Sequence, residues 1–442
     1  MSRRIVITGL GPVTAFGVGI DPLWEAMIEG RSAIRRIEQF DAGGFECTVA
    51  AELPRDAFDV RKVVPRSYRK ATKVMCRDTE LAVAAAAEAM TDAGLGGGLN
   101  GDESRAIDSR RLGCHIGAGL ICADVDELCE ALWTSRNEAG EFDLKHWGDN
   151  GMNNLTPLWL LKYLPNMLAC HVTIIHECRG PSNTITCCEA SSGLSIGESM
   201  RVIERNAADA CLSGGIESKV NPLSILRQGF ASRLAPTTLE EDPASVVRPF
   251  DPAACGTVIG EGGGIVVVEA AEVASERGAE PYAEITGFAS TQSYCADTMG
   301  VEPGPDDDGI ADAMELALER AEAKPGDIDA IAPLGSGIPA VDRAEAAAIK
   351  SVFGRRAAEV PLITTVPNTG NCNAGAGAVS VAVAVQALRT QTLPARINTA
   401  PVDGLDAGAR PSCSASLGRI LVTQTSQGGQ NVAMVLQKVD LA

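Results

Sequence analysis

In the stretch Arg179-Gly180-Pro181-Ser182-Asn183-Thr184-Ile185-Thr186-Cys187-Cys188-Glu189-Ala190-Ser191-Ser192-Gly193-Leu194-Ser195-Ile196-Gly197-Glu198, a polar segment gives way to small and apolar residues, and a glutamate stands at the change. Residues 191–207 read as a helix, so Glu189 falls at its N-terminal end, where the macrodipole stabilises an anion. Residues 208–213 then read as a strand stopped by Gly214-Gly215.

The same alternation extends in both directions. Residues 5–9, 111–117 and 264–269 read as strands, and residues 78–93 as a helix closed by Gly94. Beyond residue 280, strands are expected at 283–288, 328–333 and 432–436, and helices at 307–323, 343–352 and 376–390. Unbroken apolar strands between helices indicate an α/β protein whose strands are covered on both faces. Two α/β halves are expected, residues 1–270 and 271–442, joined by a polar linker at 271–281 that ends in Pro281. Residues 136–150 read as a surface excursion, and no internal repeat is visible in the sequence.

At 442 residues the chain is too long for one simple core. Hydrophobic residues make up 45% but aromatics only 4%, so Ala, Val, Ile and Leu must build the interior. With 38 basic and 57 acidic residues the net charge is -19, which argues against nucleic acid or anionic lipid as a nonspecific partner. A local basic patch for an acidic partner remains open. The chain starts with a strand rather than an export signal, so its 14 cysteines are expected as buried free thiols in a reducing cytoplasm, as at Cys114, Cys122, Cys170 and Cys211. No apolar run approaches the roughly 18 residues of a membrane span.

Gly9-Leu10-Gly11-Pro12-Val13-Thr14 lacks the third glycine of a dinucleotide loop. His171 and His176 are five apart, which does not align them on one helical face, and no zinc motif is present. Neither a cofactor nor a metal is expected.

Several short motifs gain meaning from their order. The segment around Glu189 is joined by Arg4-Ile5-Val6-Ile7-Thr8-Gly9-Leu10-Gly11, Ser213-Gly214-Gly215-Ile216-Glu217, Arg248-Pro249-Phe250-Asp251 and Gly260-Glu261-Gly262-Gly263-Gly264. Gly335-Ser336-Gly337-Ile338-Pro339, Thr369-Gly370-Asn371 and Gly428-Gly429-Gln430-Asn431 follow. Over residues 3–436 the chain thereby resembles the β-ketoacyl synthases, the condensing enzymes of the thiolase superfamily. The resemblance implies a thiolase-like five-layered αβαβα sandwich of two similar halves, a dimer, an acyl carrier protein as partner, and a place in fatty acid or polyketide biosynthesis.

It also implies roles by position. Glu189 takes the place of the nucleophilic cysteine, Leu334 and Asn371 those of the two histidines, and Val366 that of the lysine. Gln427 replaces the gating phenylalanine, ahead of the retained Gly428 and Gly429. A carboxylate forms no acyl thioester, leucine donates no hydrogen bond, and asparagine is no general acid or base near neutral pH. Condensation is therefore expected to be lost. The stretch Gly337-Ile338-Pro339-Ala340-Val341-Asp342-Arg343-Ala344-Glu345-Ala346 looks like the chain-length factors of type II polyketide systems, the impaired branch of the family. That branch carries glutamine where this chain has Glu189, and a lysine where it has Val366. The resemblance further implies that residues 155–167, with Trp159 and Met167, lie at a dimer interface and line the acyl pocket.

The expectation is a catalytically impaired subunit that dimerises with itself or with an active ketosynthase and shapes an acyl pocket. One alternative is decarboxylation or hydrolysis of malonyl-carrier protein through Glu189. Another is ordinary 3-oxoacyl synthase chemistry with Cys188 or Cys187 as nucleophile, which requires compensating one-residue shifts on both sides of the turn.

Overall fold

Strand pairing repeats between the two halves that the sequence leads one to expect. The computed structural model describes residues 3–96, 106–295, 302–304 and 307–439. In the first half the strands are β1 (Ile5–Thr14), β2 (Leu112–Gly117), β3 (Ser182–Ile185), β4 (Ala210–Ser218) and β5 (Glu261–Ala270). They lie in the order β1-β5-β4-β2-β3, with the first two pairings antiparallel and the last two parallel. The second half contributes β6 (Ala283–Gln292), β7 (Ala330–Ala332), β8 (Arg419–Thr425) and β9 (Gln430–Gln437). Their order is β6-β9-β8-β7, again antiparallel, antiparallel, parallel. A parallel bridge from Ile331 to Leu362 occupies the place that β3 holds in the first half. The halves join where β1 meets β6 through Val6↔Glu284 and Ile7↔Ala283.

Helices complete five layers. Helices α1 (Arg77–Asp92) and α2 (Met167–His176) cover the outer face of the first half, packing Leu81, Leu168 and Val172 on Cys114, Ile116 and Leu212. Helix α3 (Ser191–Glu204), directly after the elbow at Glu189, and α7 (Ala376–Thr390) lie between the halves. Their Ile196, Val202, Val381 and Val385 share a core with Ile7 and Val266 on one side and Phe288 and Met434 on the other. Helix α4 (Pro222–Phe230) borders the site, and α5 (Gly309–Arg320) and α6 (Pro339–Phe353) cover the outer face of the second half. This is the expected thiolase-like αβαβα sandwich.

Small residues make these layers fit. A Cβ on Gly11 would stand 2.1 Å from the Ala85 carbonyl of α1, and one on Gly197 of α3 would stand 2.0 Å from the Phe288 ring. Strands β1, β4 and β5 are buried along their whole length, as their unbroken apolar character predicts.

Several boundaries differ from the sequence reading. Strand β4 does not stop at Gly214-Gly215 but pairs with β5 as far as Ser218↔Glu261, because these glycines admit close strand approach; a Cβ on Gly214 would lie 2.1 Å from Gly264 O. The expected linker 271–281 begins with the helix Ala271–Glu276. Helix α3 ends at Glu204, and α6 starts at Pro339, whose fixed φ suits the first helical turn. The excursion at 136–150 is largely exposed and contains the short helix Leu144–Asp149. Among the described residues none of the 14 cysteines forms a disulfide, but only Cys47, Cys76, Cys114, Cys178, Cys211 and Cys372 are buried; Cys122 is half-buried and Cys170 exposed, contrary to expectation. Among the described residues no helix is long and apolar enough to cross a membrane.

Candidate functional site

The chain turns sharply between β3 and α3. Cys188 has φ +44°, in the left-handed region, and opens a single 3-10 turn, Cys188–Ala190. A non-glycine residue in that region costs on the order of 1 kcal/mol. Ser191 ties the elbow shut: its Oγ accepts from the Cys187 N–H at 2.8 Å and donates to the Cys188 carbonyl at 2.7 Å.

The elbow aims Glu189 inward, where it is 1% exposed. Its Oε1 pairs with Nη2 of Arg233, itself 2% exposed, and accepts from Asn371 Nδ2 at 3.1 Å. Its Oε2 accepts from the Gln427 N–H at 3.1 Å. Burial alone would push the Glu189 carboxyl up, but the Arg233 guanidinium, the local backbone N–H, Lys219 and the Gln427 N–H together hold it below the usual carboxylate value. It is an ionised carboxylate in a dry setting.

Each partner is fixed by its own backbone. Arg233 follows α4; its N–H donates to Gln228 O at 3.2 Å and its carbonyl accepts from the Thr257 N–H at 2.8 Å. Asn371 donates its N–H to Val258 O at 2.7 Å, while its Oδ1 accepts from the Asn373 N–H at 2.8 Å. That second bond orients the amide so that Nδ2 faces Glu189. Gln427 opens the turn of the β8–β9 hairpin, where Gly428 and Gly429 take φ of +102° and +85°.

A second buried pair lies next to the first. Lys219 Nζ is 2.9 Å from Glu217 Oε1, and Glu217 Oε2 accepts from the Ala374 N–H at 2.9 Å. Burial works against the Lys219 charge, but Glu217 and its neighbours raise its pKa above the usual value. Cys188 is pushed up to about 11, first by burial and then by the Glu189 charge. Burial also raises Cys187.

Leu334 and Val366 lie in a separate apolar cluster with Val246, Val247, Ile338 and Val341. The loop that carries Leu334 is held by two buried carboxylates. Glu345 accepts from the Leu334 and Gly335 N–H groups, both at 2.9 Å. Asp342 accepts from the Ser336 N–H at 2.9 Å, the Phe250 N–H at 2.8 Å and Ser336 Oγ at 3.0 Å. Burial first, then Asp342, pushes Glu345 up to about 8; burial pushes Asp342 up to about 6.

A cavity of about 250 Å³ opens beside the elbow, bordered by Cys188, Lys219, Ser224, Arg227, Gln228 and Gln427 among others. Of the expected pocket and gate residues, only Gln427 borders it. Trp159 packs on Tyr163 with ring centroids 5.4 Å apart and the rings tilted by 58°, and Met167 starts α2. The structure thus gathers Glu189, Asn371 and Gln427, keeps Leu334 and Val366 in another cluster, and adds Arg233, Lys219 and Glu217, which the sequence reading missed. The Asp342-x-x-Glu345 spacing, one helical turn, was a legible sign of a paired loop anchor; Arg233 lies in no motif.

The N-terminal domain of β-ketoacyl synthases matches residues 2–274, and their C-terminal domain residues 282–400. The chain belongs to the β-ketoacyl synthase family. This ketosynthase homologue is 32% identical to 3-oxoacyl-[acyl-carrier-protein] synthase 2 of Coxiella burnetii over 99% of each chain. It is also 32% identical to the Synechocystis enzyme of that name, over 99% of this chain and 98% of the other. Among solved structures, the ishigamide ketosynthase/chain length factor matches at TM-score 0.83 and 26% identity over the whole of both chains. A β-ketoacyl synthase from Burkholderia phymatum matches at TM-score 0.82 and 25% identity, over 99% of this chain and 100% of that one. A ketosynthase-family role in fatty acid or polyketide synthesis follows.

Proposed function

We propose that this ketosynthase homologue is a non-condensing subunit of the chain-length-factor type, which pairs with an active ketosynthase or with itself and shapes a site for an acyl chain. The observation that carries this reading is the closed state of Glu189 at the nucleophile position. Both carboxylate oxygens are engaged and the side chain is 1% exposed. A carboxylate neutralised by a buried guanidinium is neither a thiol-like acyl acceptor nor a ready base.

The remaining positions support the same reading. Asn371, at one histidine position, spends its amide on Glu189 rather than on a substrate oxygen. Leu334 and Val366, at the other histidine and the lysine positions, offer no polar group at all. The likeness to a structure described as a ketosynthase/chain length factor adds weight. The engaged carboxylate weighs against decarboxylation or hydrolysis by Glu189, and the raised thiol pKa weighs against Cys188 as a nucleophile.

Two surfaces support the expected partners. Strand β3 is an edge strand with β2 as its neighbour, and exposed Leu120, Trp133, Leu158, Leu160 and Ile174 offer apolar area for a second subunit. Arg66, Arg69, Lys70 and Lys73 are exposed on one short 3-10 segment, and among the described residues none has a carboxylate within 4.0 Å. In a chain of net charge -19 such a patch suits an acidic acyl carrier protein.

Intact-mass measurement after incubation with acyl-loaded carrier protein tests the central claim. No added acyl mass is expected; a stoichiometric thioester on any cysteine would overturn the reading. Co-purification with a cysteine-bearing ketosynthase, and a changed product length when this chain is omitted, test the subunit role.

A further inference from the structure

The outward face of α4 carries an aromatic knob beside a groove. Ser224, Ile225 and Gln228 of this helix are buried, while Leu226, Arg227 and Phe230 face water. Leu226 and Phe230 stand one turn apart on the same stripe. Phe230 is 81% exposed and Leu226 42%, in a chain whose aromatics amount to only 4%. Between α4 and residues 44–47 runs a groove of about 350 Å³, bordered by Phe45, Ile225, Leu226, Phe230 and Leu234 among others. A Cβ added to Gly44 or Gly229 on its walls would meet nothing within 4 Å, so neither wall is crowded.

Both walls are held firmly. Asn221 caps α4 by accepting from the Ser224 N–H at 2.9 Å, and Arg233, just beyond the helix, is paired with Glu189. On the other wall Phe45 meets Phe40 edge-on, with ring centroids 6.0 Å apart, and the Glu46 carbonyl accepts from the Thr237 N–H at 2.9 Å. A surface ordered in advance loses little conformational freedom when it is covered.

Shape and charge together say what covers it. Glu46 is exposed on the rim of the groove, and Arg227 is exposed on α4 next to it. Among the described residues neither has an opposite charge within 4.0 Å; Arg227 Nη1 meets only the Cys122 sulfur, at 3.5 Å. The groove holds about twelve water volumes, enough for a benzyl side chain. A knob and a hole, an unpaired anion and an unpaired cation, all on one patch, are what a self-complementary surface across a two-fold axis requires.

We propose that this face is an interface between two copies of this chain, in which the α4 helices meet across a two-fold axis and Phe230 of each copy seats in the groove of the other. Arg227 of one copy then comes within reach of Glu46 of the other. The contact shares no residue with edge strand β3 or with the exposed apolar residues assigned above to subunit pairing, so it adds to that pairing and does not replace it. Stable interfaces bury about 1,200–2,000 Å² in total, and one short helix against one groove buries less, so the affinity is expected in the micromolar range. At net charge -19 the copies repel, but charges further apart than about 8 Å are screened at 0.15 M salt.

Sedimentation velocity of the full chain at about 0.15 M salt is the test. The weight-average mass is expected to double between about 1 and 100 µM. Phe230→Ser, at an exposed position, is expected to weaken this step at least about tenfold. Arg227→Glu is expected to weaken it about threefold or more, and Arg227→Glu/Glu46→Arg to restore it. A mass independent of concentration, a doubling that survives Phe230→Ser, or a charge swap that restores nothing would each overturn the proposal. So would a wild-type chain that gains mass only with a co-expressed ketosynthase and loses it in Phe230→Ser, which would give the groove to that partner.

Discussion

Glu189 and Arg233 form an ion pair in which neither side chain keeps more than 2% of its surface in water. Two charges this dry gain strongly from each other and would be costly alone. The pair therefore makes a sharp prediction. Arg233→Met leaves the carboxylate buried without its counter-ion and is expected to cost about 3–5 kcal/mol in urea denaturation. The double variant Arg233→Met/Glu189→Gln removes both charges and is expected to recover at least half of that loss. A double variant whose destabilisation equals the sum of the singles would mean that the two side chains are not coupled.

Acid titration probes the same carboxylate. Its pKa in the folded protein lies below the unfolded value, so its stabilising contribution is complete above the unfolded pKa of about 4.3 and is lost as pH falls through the folded one. The stability difference between the wild type and Glu189→Gln is expected to shrink as pH drops below about 4. A difference that stays constant from pH 7 to 3 would show that Glu189 does not fold as an anion.

Glu345 and Asp342 should behave in the opposite sense. Their folded values are raised to about 8 and about 6, so the folded protein binds more protons than the unfolded chain above the normal carboxyl range. Their contribution is present below about pH 4 and declines as pH rises towards 8, the two titrating as a coupled pair. Replacing Glu345 with glutamine is expected to flatten the fall in thermal midpoint over that window. An unchanged slope would argue against the assignment.

Leu334 makes a packing prediction. It is 1% exposed among Val246, Val247, Val341 and Val366, and Leu334→Ala is expected to cost about 2–5 kcal/mol. A loss below 1 kcal/mol, measured by urea denaturation, would show that the cluster relaxes around the vacancy.

The basic segment gives a binding prediction. Charge reversal by Arg69→Glu/Lys70→Glu is expected to weaken acyl carrier protein binding at low salt by about tenfold or more, and to flatten its salt dependence. Surface plasmon resonance at two ionic strengths checks both; unchanged affinity would place the docking surface elsewhere.

Much of this architecture was legible in the sequence because periodicity and glycine spacing report local structure directly. The central helix Ala376–Thr390 has the boundaries that its alanine- and valine-rich run suggests. Glu189, Asn371 and Gln427 could be singled out because they break an otherwise recognisable pattern. Arg233 could not, because its partner is 44 residues away and only the folded elbow brings them together. The two halves were expected, but their matching strand order was hidden for a similar reason. Strand order and direction repeat between the halves while the side chains do not, and pairing leaves no signature in a single sequence. Gly214-Gly215 misled because two glycines in series look like a stop, whereas here they let neighbouring backbones touch.

The hydrogen bonds to Glu189 span sequence separations of 182 residues to Asn371 and 238 to Gln427. Both partners belong to the second half of the molecule, while Glu189 and Arg233 belong to the first. Contacts over such distances require the closure of very long loops, so the bonds to Asn371 and Gln427 are expected to form late in folding. Substitutions there are expected to accelerate unfolding more than they slow folding. Where relatives of this chain are expected to place a reactive group, it has a clasp between its two halves.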